Sequence, residues 1–293
     1  MLRVIISPAK KMLAGVDGIA ARDVPALTGR AARLLEVLAG MGAPDLQRLW
    51  RVSDRLLPAC LEALDGLRIH GLPRSGADLA DPAFSARVSP AVLAYAGIQY
   101  QSMAPAVMDG PSLDWIGAHL RILSGFYGCV RPFDAVLPYR LEMGAALPVD
   151  GARDLYGFWG DAIAREVCAG ADGPDGGAGA GCQGAGCQGA SGPDGGAAGH
   201  VVNLASVEYA KAVTPWLAGL GAQITTCIFG ESLRDGRPVQ RSTASKTARG
   251  SMVRWMAERG VEDARELTRF DVGYAFAPEL SDEGAGRLVF MRA

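Results

Sequence analysis

The stretch that decides the fold is Leu2-Arg3-Val4-Ile5-Ile6-Ser7-Pro8-Ala9-Lys10. An apolar run rich in β-branched side chains ends there at a Ser-Pro turn signal, which predicts a buried strand that leads into a loop. Ligands of open α/β sheets bind beyond the carboxyl ends of the strands, so Ser7 and Lys10 are candidate site residues. A solvated loop lysine is the alternative for Lys10.

Beyond this strand, helical and strand-like patterns alternate along the chain. Strands are predicted at 200–204, 222–229, 239–242 and 286–291, and helices at 25–38, 45–64, 112–123, 156–168, 207–212 and 243–259. The pattern at 91–100 is mixed and favours neither state. Interleaved strands and helices predict a mixed α/β fold, in which residues 1–293 form a single compact domain with a central sheet and surrounding helices.

One segment, residues 169–199, has a different composition. Gly-Pro-Asp-Gly-Gly-Ala occurs at 173–178 and 192–197, and Gly-Cys-Gln-Gly-Ala at 181–185 and 186–190. So few apolar side chains cannot offset the entropy lost when a backbone is ordered. We therefore expect a disordered, Gly/Ala-rich surface insertion between a helix and the next strand.

Composition limits the partners and cofactors. The net charge is −2, so nucleic-acid binding would need a local cluster of cations. Six cysteines without paired spacing and three histidines predict reduced thiols, no metal site and no cofactor. No apolar run approaches the roughly 18 residues of a membrane span, which predicts a cytoplasmic protein without membrane contact. Nothing in the pattern indicates an obligate protein partner.

A second informative stretch is Leu120-Arg121-Ile122-Leu123-Ser124-Gly125-Phe126-Tyr127-Gly128. The apolar spacing before it predicts a helix capped by Ser112 that stops at the Gly-x-x-Gly turn. Small residues in such a turn let backbone N–H groups approach a phosphate. The alternative is an ordinary corner whose glycines serve only a positive φ.

Cations are expected to converge around this turn. Arg121, Arg131 and Arg140 are close to it along the chain, and Lys10, Lys211, Lys246 and Arg249 lie at the ends of other predicted elements. Together with Ser124, Gly125, Tyr127 and Gly128, they are the predicted phosphate-binding residues. A structural pair between Arg140 and Glu142 is the alternative for those two side chains.

Uncharged and acidic side chains complete the predicted cleft: Ser7, Glu142, Asp161, Asn203, Ser206 and Glu208. Carboxylates and an amide are what an enzyme acting on a nucleotide, a nucleobase or a nucleic acid would need. No known catalytic motif assigns them individual roles. Catalysis in the same cleft therefore stays open as an alternative to simple binding.

Six separated blocks resemble one family, in the same order along the chain. They are Ile6-Ser7-Pro8-Ala9-Lys10, Leu123-Ser124-Gly125-Phe126-Tyr127-Gly128, Pro138-Tyr139-Arg140-Leu141-Glu142-Met143-Gly144, Leu155-Tyr156-Gly157-Phe158-Trp159-Gly160-Asp161, Asn203-Leu204-Ala205-Ser206 and Lys246-Thr247-Ala248-Arg249-Gly250. Together they resemble the YaaA family of bacterial peroxide-stress proteins.

The resemblance implies one mixed α/β domain with a positively charged cleft and a helix-hairpin-helix element, whose hairpin we expect at residues 124–128. It also implies binding of double-stranded and structured DNA, and a role in limiting iron-driven damage under hydrogen peroxide. The insertion at 169–199 departs from the family pattern and affects only its local surface.

Overall fold

A seven-stranded sheet forms the centre of the protein in the computed structural model, which describes residues 1–170 and 199–293. The strands are β1 Leu2–Ile6, β2 Ser89–Pro90, β3 Leu120–Ser124, β4 Gly128–Val130, β5 Ala135–Val136, β6 His200–Asn203, β7 Gln223–Gly230, β8 Ser232–Arg234, β9 Arg237–Val239, β10 Tyr274–Phe276 and β11 Arg287–Arg292. The central sheet has the order β10-β11-β7-β6-β1-β3-β4. The pairs from β11 to β3 are parallel, and the two edge strands are antiparallel.

Helices cover this sheet. They are α1 Thr28–Ala39, α2 Ala43–Trp50, α3 Leu57–His70, α4 Pro82–Ser85, α5 Ala91–Ala94, α6 Ile98–Met103, α7 Gly110–His119, α8 Leu155–Trp159, α9 Ala162–Cys168, α10 Val207–Ala210, α11 Thr214–Leu217 and α12 Ser242–Arg259. Short 3₁₀ turns lie at Gly76–Ala80, Pro105–Val107, Ala218–Leu220, Ala264–Arg269 and Pro278–Leu280. Across the described ranges, no helix is long and apolar enough to cross a membrane. The mixed α/β prediction is confirmed.

Strand β1 is buried along its whole length because it lies between two parallel neighbours. Val4 is in register with Leu120 of β3 on one side and with Val202 of β6 on the other. Helices pack on its faces, so neither alternating position meets water. This explains why the run Leu2–Ile6 is apolar at nearly every residue rather than at alternate ones.

The predicted helix at 112–123 is wrong in both its start and its end. Asp109 caps α7 by accepting a hydrogen bond from the Ser112 N–H at 3.0 Å, and the helix ends at His119. Residues 120–124 form β3, and residues 128–130 form β4 as its antiparallel partner. The turn at 124–128 therefore joins two strands, and the prediction of a helix-hairpin-helix at this position is wrong.

A glycine also divides the predicted helix at 156–168. Gly160 has φ +52° and ψ −130°, a backbone conformation that favours glycine and ends α8, and α9 starts two residues later. The predicted strands at 2–6, 200–204, 222–229 and 286–291 are confirmed within a residue or two. The predicted insertion lies outside the described residues apart from its ends, so the division of the chain stays a prediction.

A cationic cleft at the carboxyl edge of the sheet

A crevice opens where the chain leaves two neighbouring strands in opposite directions. The segment after β1 leads to β3 on one side, whereas the segment after β6 leads to β7 on the other. Strands β1 and β6 are hydrogen-bonded neighbours, so their departing loops separate above the carboxyl edge. Such a switch in strand order is where ligands of open α/β sheets bind.

Ser7 ties the two departing loops together. Its Oγ accepts a hydrogen bond from the Ser206 N–H at 2.8 Å, and the two hydroxyl oxygens lie 3.2 Å apart. The Ser7 carbonyl oxygen accepts a hydrogen bond from the Tyr100 hydroxyl at 3.0 Å. The floor of the crevice is thus fixed by side chains from three separate segments.

A cavity of about 540 Å³ occupies this crevice. Eight of the sequence-predicted residues line it: Ser7, Lys10, Arg140, Glu142, Ser206, Glu208, Lys246 and Arg249. They come from the loop after β1, the segment before α8, the start of α10, and α12. These eight residues share one cavity, but the turn at 124–128, around which the cations are expected, does not line it.

Glu142 lies between two of the cations. Its Oε1 is 2.9 Å from Lys10 Nζ and 3.1 Å from Arg140 Nη2. The pairing of Arg140 with Glu142 expected as an alternative is therefore present, within the cleft itself. The Lys10 side chain is 67% exposed, so it can exchange this pairing for a ligand at little cost.

Helix α12 adds its N-terminus and two more cations to the cavity lining. Ser242, Lys246 and Arg249 line the cavity, and no side chain caps the first turn among the described residues. Uncapped N–H groups and the helix dipole favour an anion at this end. Together with Lys10, Lys11 and Arg140, the lining holds five cations against the carboxylates of Glu142 and Glu208.

Tyrosines form the inner wall. The Tyr139 hydroxyl shares hydrogen bonds with Ser124 Oγ at 2.7 Å and with the Tyr95 hydroxyl at 3.1 Å. Burial raises the pKa of Tyr139 to about 12 and holds the pKa of Tyr100 well above its usual range. Both phenols therefore stay neutral, and the wall is aromatic rather than charged.

Three buried nitrogen atoms in the lining have no hydrogen-bond partner among the described residues. They are Nε2 of Gln99 and the Nε atoms of Arg140 and Arg249. Burial also lowers the pKa of Arg249. Unpaired buried donors are costly, and all three nitrogens present N–H groups. The interior therefore suits a ligand that supplies acceptor oxygens or nitrogens.

Five predicted residues lie in the core instead: Arg121, Ser124, Gly125, Tyr127 and Gly128. The Arg121 guanidinium, in a residue only 1% exposed, donates to the Leu120 carbonyl at 2.8 Å. Ser124 Oγ accepts from the N–H groups of Phe126 and Tyr127 and so closes the turn internally. These residues do not line the cleft, so the structure does not place them where they could contact a phosphate there.

Close packing explains both glycines of the turn. A Cβ atom on Gly125 would lie 2.7 Å from the Leu141 carbonyl oxygen, and one on Gly128 would lie 2.8 Å from the Trp159 ring. Gly128 also has φ +75°. The glycines admit the protein's own backbone and an indole ring rather than a phosphate.

The remaining candidates lie elsewhere. Asp161 pairs with Arg165 at 2.6 Å on the surface, and Asn203 accepts the Ala205 N–H at 3.0 Å inside the loop after β6. Lys211 is exposed but does not line the cavity. Arg131 faces a different cleft, where it contacts Glu166 at 3.3 Å.

That second cleft is larger, at about 1230 Å³, and its lining includes four carboxylates and three arginines. The Arg131 N–H donates to Asp134 Oδ2 at 2.7 Å, and burial raises the pKa of Asp134 to about 7. Asp23 and Glu166 also line it. Nevertheless, over residues 1–170 and 199–293 no three acidic, histidine or cysteine side chains are grouped to hold a metal ion.

Sequence reasoning missed Gln99, Tyr100 and Tyr139 as cleft residues. Residues 91–100 carry mixed patterns because they form two short helices of four and six residues, too short for a clear period. Tyr139 precedes Arg140 in the sequence block 138–144, and this position next to a predicted site residue is the signal that could have identified it. The placement of Gln99 and Tyr100 depends on packing between α6 and α12, which is so close that a Cβ atom on Gly250 would overlap the Gln99 carbonyl oxygen.

Fold and site together define a class: mixed α/β proteins whose mostly parallel sheet opens a cationic cleft at its carboxyl edge. Within that class, the chain belongs to the peroxide stress protein YaaA family, whose model matches residues 2–280. This confirms the resemblance carried by the six sequence blocks. The family connects the chain to the response to peroxide stress.

Relatives match along nearly the whole chain. A UPF0246 protein of Pediococcus pentosaceus is 38% identical over 99% of this chain and 98% of its own length. A UPF0246 protein of Lactiplantibacillus plantarum is 36% identical, with 99% of each chain covered. One of Desulfitobacterium hafniense is 35% identical over 100% of this chain and 98% of its own.

Proposed function

We propose that the protein binds double-stranded or structured DNA through the backbone phosphates, at the cationic cleft, and so limits iron-driven damage during peroxide stress. One observation carries the proposal: five cations meet two carboxylates around a single cavity, in a chain whose net charge is −2. Positive charge is concentrated at one place, as a polyanion-binding surface requires.

The rim provides three kinds of phosphate contact. Lys10 and Lys246 are exposed ammonium groups, Arg140 offers a guanidinium fork, and the first turn of α12 offers uncapped N–H groups. None of these reads a base in a paired duplex. Binding is therefore expected to depend on salt and to vary little with sequence.

Protection follows from the same contacts. Cations condensed on DNA are released when protein cations neutralise the phosphates. Ferrous iron held near the backbone is one such cation, so a bound protein displaces it from the place where it would reduce hydrogen peroxide to hydroxide and a damaging hydroxyl radical, becoming ferric iron. Shielding of this kind needs no catalytic group.

Fluorescence anisotropy with a labelled duplex and a four-way junction, at about 50 and 200 mM salt, tests the proposal. Wild type is expected to bind at the lower salt and to lose at least tenfold in affinity at the higher. Lys10→Ala with Lys246→Ala should weaken binding tenfold or more at low salt. The matched control, Arg48→Ala with Arg68→Ala on α2 and α3, should not. Absence of binding to both DNAs would refute the proposal.

A second candidate is an enzyme that acts on a nucleotide, nucleobase or nucleic acid. Glu142 and Glu208 in one tyrosine-walled cavity favour it, since carboxylates are common acid and base groups. Gly144 N–H donates to Glu208 Oε1 at 2.8 Å, which orients that carboxylate. Incubation with damaged DNA and a nucleotide panel tests this candidate, and absence of any product from wild type contradicts it.

A further inference from the structure

The cleft has an inside as well as a rim, and the two differ in chemistry. The exposed lysines Lys10, Lys11 and Lys246 stand at the rim. The interior is lined by Gln99, Tyr100 and Tyr139, with the half-buried Arg140 and Arg249 beside them. At about 540 Å³, the cavity lies within the roughly 300–1,000 Å³ of pockets that hold small ligands. A duplex cannot enter such a space, but one nucleotide can.

Phosphate binding at the rim does not explain why the Gln99 amide is buried in the cavity lining. It is 5% exposed, it lines the cavity, and its Nε2 has no partner among the described residues. A primary amide presents a donor and an acceptor side by side, which matches the edge of a nucleobase. A phosphate would use only the donor.

Apolar surface completes the recognition of a base. Tyr100 donates its hydroxyl to the Ser7 carbonyl, so its aromatic body rather than its polar tip is what it contributes to the cavity. Ile98, beside Gln99 at the start of α6, lines the same cavity and is 38% exposed. Proteins that take a base out of a stack hold it between aromatic or apolar side chains and read its edge by hydrogen bonds.

We infer that the interior of the cleft receives a single nucleobase, read by the Gln99 amide, while the attached phosphate stays on the cations of the rim. The inference rests on the proposed DNA binding and specifies its ligand. The recognised chemistry is one nucleotide unit, which an unpaired position in DNA or a free mononucleotide supplies. Base extrusion is easiest at an unpaired position, so such DNA is the expected source.

The experiment compares two labelled duplexes that differ only by one bulged nucleotide, with thymidine 5′-monophosphate as a third, separate ligand. Wild type is expected to bind the bulged duplex at least tenfold more tightly than the paired one. Gln99→Leu should bind both duplexes equally. Gln101→Leu, the same change at an exposed position of α6, should keep the preference.

If Gln99→Leu does not fold, Ile98→Ala, a change at a partly exposed position, tests the base site instead. It should reduce the preference for the bulged duplex several-fold. Equal binding of both duplexes by wild type overturns the inference and leaves DNA binding intact. A preference that survives Gln99→Leu and Ile98→Ala also overturns it. Nucleotide binding that requires Gln99, without any DNA binding, supports the base site and refutes the DNA proposal. If wild type binds neither duplex nor the nucleotide, both the base site and the DNA proposal are refuted.

Discussion

Ser7 and Ser206, 199 positions apart in the sequence, are joined by a hydrogen bond in which Ser7 Oγ accepts the Ser206 N–H at 2.8 Å. The bond connects the loops that leave β1 and β6 at the point where the strand order switches. It therefore sets the width of the cleft floor. The residues that carry the proposed functions project from these same loops and from helices packed against them.

Replacing Ser7 by Ala should lower the free energy of unfolding by about 1–2 kcal/mol, because the half-buried Ser206 N–H loses its acceptor. Urea denaturation measures the change. Ser206→Ala is the matched control, since it removes only the 3.2 Å contact between hydroxyls and keeps the N–H bond. Equal losses in the two variants would contradict the assigned role of Ser7.

Glu142→Gln should strengthen DNA binding several-fold. The substitution removes a carboxylate that is bonded to Lys10 and Arg140, so both cations become available to phosphate. Anisotropy titration at low salt measures the gain, and the salt dependence should become steeper. If Glu142 instead performs chemistry, the variant loses turnover. Unchanged affinity would mean that these two cations do not meet DNA.

Gly125→Ala should destabilise the fold by about 1–3 kcal/mol, because the new Cβ atom meets the backbone of Leu141, Glu142 and Met143. Displacement of that backbone also moves Glu142, so DNA affinity should change with stability. Thermal unfolding measures the first effect. Gly219→Ala is the control, as no atom lies within 4 Å of a Cβ there. A stable Gly125→Ala protein would contradict the packing explanation.

The pH dependence of stability should report on Asp134. Burial raises its pKa to about 7, above the value of an unfolded aspartate, so the native state binds the extra proton between pH 4 and 7. Stability from this group is present at low pH and is lost as pH rises through 7, at no more than about 1.4 kcal/mol per unit.

Asp134→Asn should flatten that part of the profile, measured as urea midpoints at pH 5 and pH 7. The amide oxygen of the variant can still accept the Arg131 N–H, so the turn is kept. Exposed Asp17 provides the control, because Asp17→Asn should leave the slope unchanged. The same slope in wild type and Asp134→Asn would exclude Asp134 as the titrating group.

The local sequence predicts those helices and strands whose apolar residues recur at a clear spacing or whose end is marked by a turn signal. The run Leu2–Ile6 ends at Ser7-Pro8, and α12 has a long helical pattern, so both were predicted close to their observed bounds. The six sequence blocks also identified the family, whose model matches residues 2–280.

Residues 120–124 show what local pattern cannot decide. A short apolar run that is buried on both faces has no period that separates a helix from a strand. Pairing with β1 on one side and β4 on the other decides it, and neither partner is visible in the run itself. The predicted helix places Arg121, and the turn with Gly125 and Gly128 that follows it, on a surface, although all three residues lie in the core.

The sequence by itself determined the fold class and the residue types available for binding a phosphate, because composition, turn signals and apolar spacing are local properties. It determined the family through the resemblance of six sequence blocks. Only the tertiary structure decided which cations share one cavity, and that the Gln99 Nε2 atom beside them has no hydrogen-bond partner in the part of the chain that the structure describes. Those relationships depend on strand order and on the packing of α6 against α12. Both are set by contacts between residues distant in sequence, whose energies no local pattern records.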